Sequence, residues 1–118
     1  MNRLIALGAA SYAGLGLASF LKPDVVPSVI GYVAPNADTR TEIRAVYGGL
    51  PLAFAASLVA NPASGTAVGL ATAGMAAGRA GSAVFEGRPS PKMAAFIAME
   101  TAIAAVLVMG ARRARAAA

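Results

Sequence analysis

Three charged side chains fall within the apolar stretches of this 118-residue sequence. They are Arg44, Arg79 and Glu100, and Tyr47 follows Arg44 after about one helical turn. A charge within a membrane span is costly, so it usually faces protein or a water-filled cavity and marks a function. The chemistry open to this set is ion pairing, anion binding or proton transfer, because arginine binds carboxylates and phosphates and glutamate carries one proton.

The sequence contains no Cys, His or Trp residue, which limits the chemistry further. It therefore has no thiolate or disulfide chemistry, no histidine metal ligand and no histidine general base. It also has no pairing of a nucleophile with a base, no glycine-rich phosphate loop and no cluster of metal ligands. We expect no catalysis, no cofactor and no bound metal; a membrane enzyme with an unrecognised site is the alternative.

Hydrophobic residues make up 58 % of the chain and charged residues 13 %, whereas a soluble domain has roughly 25 % charged residues. The net charge of +5 does not indicate nucleic-acid binding, because the basic residues are scattered except for Arg112, Arg113 and Arg115. A short basic segment after an apolar helix is a topology signal. The composition predicts an integral membrane protein.

The first apolar segment extends from Leu4 to Leu21 without a charge. A helix of this length measures about 27 Å, close to the thickness of the hydrocarbon layer. Arg3 precedes the segment, and Lys22 and Pro23 end it. A signal peptide is the alternative, although its apolar core is usually shorter.

A connection with three prolines follows this segment. Pro23, Pro27 and Pro35 exclude a long helix. The apolar middle of the connection, residues 25–33, favours a short segment in the membrane interface with Tyr32 among the headgroups. An ordered loop packed against the helices is an equal alternative.

The second predicted helix covers residues 40–60. We place its start near residue 40 because Thr39 and Glu42 have the spacing of a capping box. Pro51 lies inside this helix and removes the usual hydrogen-bond donor for the carbonyl of Tyr47. We therefore expect a kink or a bound water near the glycine pair that precedes Pro51.

The third predicted helix covers residues 64–86 and consists largely of glycine and alanine. Asn61 or Ser64 is suited to cap it. Four of its five glycines form two pairs with a spacing of four residues, Gly65 with Gly69 and Gly74 with Gly78. In lipid, such small-residue pairs let helix backbones approach closely. We expect this helix to be the most enclosed of the helices and the least hydrophobic span.

The fourth predicted helix covers residues 91–111, with Ser90 as its cap and Pro91 in its first turn. A basic C-terminal tail, residues 112–118, follows it. The predicted fold class is an all-α membrane protein. It is a single transmembrane domain over residues 1–118 with a four-transmembrane-helix bundle, and its spans are 4–21, 40–60, 64–86 and 91–111.

Four spans put both termini on one side of the membrane, and the basic residues give the orientation. The side of the termini holds Arg3, Arg112, Arg113 and Arg115, and the opposite side holds Lys22, Arg40, Arg88 and Lys92. The counts are equal, but the dense C-terminal group favours cytoplasmic termini. The alanine-rich composition indicates a GC-rich bacterial genome, so we expect a multi-pass protein of the bacterial plasma membrane.

The helical rise puts the three charges in the same half of the membrane. Depth is measured from the side of the membrane that holds the connections between helices 1 and 2 and between helices 3 and 4. On this scale Arg44 lies roughly 6 Å deep, Arg79 roughly 10 Å and Glu100 roughly 14 Å. One interpretation is a structural ion pair of Glu100 with either arginine. A second is a pocket in which the surplus arginine binds an anionic headgroup or a small acid. A third is a proton or ion pathway. Two further acids, Glu42 and Glu86, are secondary candidates.

Four sequence features occur together. They are the pattern E-x-R-x-x-Y-G-G over residues 42–49, the pair Gly78-Arg79, the turn Glu86-Gly87-Arg88-Pro89, and Glu100. With them the sequence resembles, over nearly its whole length, a family of small four-helix bacterial membrane proteins catalogued as a domain of unknown function. That family often has Asp where this chain has Glu86. The resemblance implies the fold and the same polar residues, and it implies no substrate.

We expect a non-enzymatic membrane protein that associates through its small-residue faces with other membrane-protein subunits or with itself. The alternative is a binding or carrier protein for a lipid or a small hydrophobic anion. Its intramembrane site would consist of Arg44, Tyr47, Arg79 and Glu100. Membrane lipid is a partner in either case.

Overall fold

The computed structural model describes all 118 residues, Met1–Ala118, and every regular element is helical. The elements are α1 (Arg3–Leu21), α2 (Val25–Val29), α3 (Ala37–Ile43), a π-helical segment (Arg44–Gly49), α4 (Leu50–Ala60), a 3₁₀ turn (Pro62–Ser64), α5 (Gly65–Gly81), α6 (Ala83–Glu86) and α7 (Pro91–Ala117). The all-α class predicted from the sequence is confirmed.

Three helices are long and apolar enough to cross a membrane: Arg3–Leu21, Ala37–Ala60 and Pro91–Ala116. Their length and composition indicate a membrane protein, as the sequence predicts. The third predicted helix, residues 64–86, is not among them. A turn at Ser82 divides it into α5, which has 17 residues, and the short α6.

The second long helix, Ala37–Ala60, begins three residues before the predicted start. The prediction from Thr39 and Glu42 is wrong because Asn36 is the cap. Asn36 Oδ1 accepts hydrogen bonds from the Thr39 backbone N–H at 2.9 Å and from Thr39 Oγ1 at 3.0 Å. Asparagine is among the best residues for the N-cap position. Asn36 directly follows Pro35, and the helix begins only after Asn36.

The irregularity expected ahead of Pro51 is a π-helical segment, Arg44–Gly49. At its end, the Leu50 N–H donates to the carbonyl of Ala45, five residues back. Proline has no N–H, so regular α-helical bonding cannot continue through Pro51, and a wider turn absorbs the interruption.

The chain divides into two compact units, Ala6–Ala60 and Met1–Ile5 with Asn61–Ala118. We call them the N-terminal unit and the C-terminal unit. The single transmembrane domain over residues 1–118 stays a prediction.

In the N-terminal unit, α1 lies antiparallel to the helix Ala37–Ala60. Tyr12 meets Phe54 edge to face, with ring centroids 5.2 Å apart. One turn along, Gly16 lies against the carbonyl of Gly48, and Phe20 then packs against Gly48 itself. In the connection, Pro27 and Ala34 are buried, whereas the apolar residues after α2 are exposed: Ile30, Tyr32 and Val33.

In the C-terminal unit, α5 lies antiparallel to α7. A Cβ atom added at Gly65 would lie 2.7 Å from the carbonyl oxygen of Leu107, and one at Gly69 would lie 3.1 Å from that of Ala104. The first glycine pair therefore lets the two backbones approach closely. Ile5, from the start of α1, is fully buried in this unit and packs beside Gly65.

The helix caps predicted for the C-terminal unit are only partly those found in the structure. Asn61 caps the 3₁₀ turn by accepting from the Ala63 N–H at 3.1 Å. Ser64, the alternative cap, makes no capping bond. Ser90 caps α7 through the Met93 N–H at 3.2 Å, as predicted. The last helix continues through the basic residues to Ala117, so the residues after 111 extend the helix rather than form a separate tail.

Candidate functional site

Arg79 and Glu100 form the one ion pair of the structure. Arg79 lies in the last turn of α5, and Glu100 lies on the facing part of α7. Arg79 Nε donates to Glu100 Oε1 at 2.7 Å. The glutamate side chain is 9 % exposed and the arginine side chain 32 %. The pair brings the only buried acid of the chain into contact with a guanidinium, which makes its burial tolerable.

Phe96 holds the arginine from a second direction. The Arg79 Cζ atom lies 5.6 Å from the centroid of the Phe96 ring, a cation–π distance. Phe96 lies one helical turn before Glu100 on α7, so both contacts come from the same face of that helix. Two contacts from one face fix the position of Arg79 and the register of α5 against α7.

An open apolar groove lies between α5 and α7, with a volume of about 290 Å³. Its lining residues are Ala73, Ala76, Ala77, Ala80, Ile97, Thr101 and Ala104. The one hydroxyl there, Thr101 Oγ1, donates to the carbonyl of Ile97 at 2.7 Å. The groove therefore presents mainly methyl groups.

Arg44 has a different environment, in the N-terminal unit. Its Nε donates to the carbonyl oxygen of Phe20 at 2.9 Å. Phe20 lies in the last turn of α1, where carbonyls have lost their helical donors, so the arginine caps that helix end. No carboxylate oxygen lies within 4.0 Å of Arg44. Glu42 does not neutralise it, because residues two apart on a helix face different directions.

The structure thus brings some of the predicted site residues together. Arg79 and Glu100 pair in the C-terminal unit, so Arg79 is the partner of this acid. Arg44 and the half-buried Tyr47 belong to the N-terminal unit. Two acids are exposed and form no ion pair, Glu42 and Glu86.

Comparison with known proteins gives the family. The family model described as "Domain of unknown function (DUF4345)" matches residues 1–111. The chain belongs to the DUF4345 family. The resemblance inferred from the sequence is confirmed at the level of an uncharacterised family. No curated protein and no solved structure matches the chain.

Sequence reasoning missed several polar contacts of this DUF4345 chain. Asn2 Nδ2 donates to the carbonyl of Gly110 at 2.9 Å, and Arg115 Nη2 donates to Thr66 Oγ1 at 2.6 Å. Neither contact has a local signal, because the partners are far apart in the chain. Phe96 was recoverable, since a residue four positions before Glu100 shares its helix face.

The chemistry available to this DUF4345 chain rests on two arginines in contrasting states. One is neutralised by Glu100, and the other, Arg44, has only a carbonyl partner. The side chains that could ligate a metal here are carboxylates, and no group of three or more of them forms. The arrangement is suited to holding helices together and to binding an anion.

Proposed function

We propose that this protein is a non-enzymatic interaction subunit of the bacterial plasma membrane. In this proposal, the face of α5 that holds Gly74, Gly78 and Gly81, called the outward face, packs against a transmembrane helix of another subunit or of a second copy. The observation that carries the proposal is the open space around three glycines of that face. A Cβ atom added at Gly74, Gly78 or Gly81 would meet nothing within 4 Å.

The two sides of α5 differ in what covers them. α5 buries Gly65, Val68, Gly69, Thr72 and Ala76, and of these Gly65 and Gly69 lie against α7. At 100° per residue, Gly74 and Gly78 fall on the opposite side of the helix. Small residues on a membrane helix allow the close backbone approach that drives association in lipid. The first glycine pair of α5 already makes such an approach to α7, which supports the same use for the second.

The exposure of Arg79 is a second support. Glu100 lies near the middle of the apolar part of a membrane-length helix, and its partner arginine is 32 % exposed. A charge exposed to hydrocarbon is costly, whereas one covered by protein can be retained. A partner helix that also reaches the side of Arg79, 100° around α5 from Gly78, would cover this exposed part.

The proposed topology has four spans, with α5 and α6 together as the third. The range Gly65–Glu86 is about 33 Å long if continuously helical, enough for the hydrocarbon layer. Its antiparallel packing on α7 supports this topology. Both termini would then be on one side, which we propose to be cytoplasmic because of the basic end of α7. The exposed Tyr32 supports an interfacial position for the connection after α1.

Two bulky variants test the proposed interface. Differently tagged copies of the full chain are expressed together and purified in mild detergent, and co-purification and bound proteins are quantified. Gly74→Leu should abolish association, because the new side chain occupies the surface required by the partner helix. Gly14→Leu is the matched control, since Gly14 also has nothing within 4 Å but lies on α1.

Recovery of the second tag in the unmodified protein identifies self-association. Stoichiometric recovery of another membrane protein identifies a heteromeric complex. In both cases, loss in Gly74→Leu and retention in Gly14→Leu support the proposal. A monomer without partners, or a complex that is equally stable in both variants, contradicts it.

A further inference from the structure

Two arginines share one face of the second long helix. The Arg44 backbone N–H donates to the carbonyl of Arg40, so the two residues are one α-helical turn apart. Side chains four residues apart on a helix are neighbours. Both arginines are half-buried. The two side chains are therefore neighbours near the start of the helix Ala37–Ala60.

No acid neutralises this pair. No carboxylate oxygen lies within 4.0 Å of either guanidinium. Asp38 and Glu42 each lie two residues from Arg40, on other faces of the helix. Neighbouring like charges repel each other, so the native arrangement favours an anion that bridges them.

The guanidinium of Arg44 is fixed with most of its donors free. Its Nε–H is used by the carbonyl of Phe20, whereas its two Nη atoms have no partner within the protein. This bond exists because α1 packs closely on the π-helical segment. A Cβ atom at Gly48 would lie 3.2 Å from Phe20 Cβ. The Nη edge of a guanidinium binds two phosphate oxygens at once.

The depth of the pair matches that of lipid headgroups. The helix Ala37–Ala60 has 24 residues and is about 36 Å long, which exceeds a hydrocarbon layer of about 30 Å by several ångström. Arg40 therefore lies near the boundary, and Arg44 one turn below it. Helical side chains point towards the N-terminus, and arginine extends its charged end to the interface. Both guanidinium groups then reach the level of the phosphates.

We propose that Arg40 and Arg44 bind a phosphate group, supplied by the headgroup of an anionic phospholipid. The site lies in the N-terminal unit and does not depend on the outward face of α5. Arg44, held by Phe20, would grip the phosphate through its Nη atoms, and Arg40 would add a second charge from one turn above.

Native mass spectrometry of the detergent-purified full chain tests the site. Phosphatidylglycerol, phosphatidylcholine and inorganic phosphate are titrated separately. The test variant is Arg40→Gln with Arg44→Gln, and the control is Arg112→Gln with Arg113→Gln, which removes the same charge from the end of α7. We expect the test variant to weaken phosphatidylglycerol binding roughly tenfold or more, and the control to leave it within about threefold.

Arg44→Lys keeps the charge and removes the planar fork, so we expect it to lose part of the affinity while retaining the helical circular dichroism spectrum. Tighter binding of phosphatidylglycerol than of phosphatidylcholine, lost in the test variant, supports the proposal. Inorganic phosphate that binds with the same arginine dependence while the lipid does not overturns the lipid as the source. Equal losses in the test and control variants, or no loss in either, overturn the site.

Discussion

Gly16 of α1 is the position at which an added methyl group should do most damage to the N-terminal unit. A Cβ atom there would lie 2.8 Å from the carbonyl oxygen of Gly48 and 2.7 Å from Leu52 Cγ. Gly14, two residues earlier on the same helix, has nothing within 4 Å of its Cβ position. Gly16→Ala and Gly14→Ala thus make the same chemical change with and without a steric conflict.

Gly16→Ala and Gly14→Ala gain the same helix propensity. Replacing glycine by alanine inside a helix stabilises it by about 0.5–1 kcal/mol. At Gly16, the Gly48 carbonyl must move from 2.8 Å to the ordinary contact range of 3.4–4 Å. This oxygen belongs to the backbone and cannot rotate away, so we expect an overpacking cost of about 1–3 kcal/mol. Because the propensity gain cancels, Gly16→Ala should be less stable than Gly14→Ala by that amount.

The measurement is unfolding in mixed micelles with an increasing fraction of dodecyl sulfate, followed by circular dichroism. Gly14→Ala should unfold at or above the midpoint of the unmodified protein, and Gly16→Ala clearly below it. If the two variants differ by less than about 0.5 kcal/mol, α1 does not pack on the π-helical segment as described. The position assigned to Arg44 at the end of α1 would then also be wrong.

Further substitutions test three separate contacts. Arg79→Glu and Glu100→Arg should each lower the yield of folded protein, and the combined swap should restore it; absence of rescue contradicts the ion pair. Asn36→Ala should reduce the free energy of unfolding by about 1 kcal/mol and Thr39→Ala by less, and the opposite order would restore the predicted capping box. Asn2→Ala should reduce it by about 1–2 kcal/mol, because Asn2 both accepts from the Ile5 N–H and donates to α7; an unchanged midpoint contradicts this.

Much of the architecture was predictable because its causes are local. Long apolar stretches form helices in a membrane, since every backbone polar group needs a partner there. A proline inside a long helix interrupts its hydrogen bonding, as Pro51 does after the π-helical segment. Ser90 caps α7 because its hydroxyl accepts from the Met93 N–H, three residues later in the chain. These properties depend on neighbours in the chain and not on its tertiary packing.

The errors of prediction arose where two local signals competed. Asn36 and Thr39 are both good caps, and only the path of the chain after Pro35 decides which one begins the helix. The third span was predicted from the absence of charge. The turn at Ser82 nevertheless interrupts it and leaves α5 with 17 residues. Its role as a membrane span therefore remains a proposal.

The charged residues show most clearly which features the sequence determines and which depend on the tertiary structure. Composition and the position of Glu100 in an apolar helix already required a cationic partner for it, because an unpaired buried carboxylate is too costly. The sequence alone left Arg44 and Arg79 as equal candidates. The choice depends on how α5 and α7 are rotated and shifted against each other, which Gly65 and Gly69 allow through close backbone contact. Only tertiary structure fixes that register, and it leaves Arg44 with a carbonyl instead of an acid.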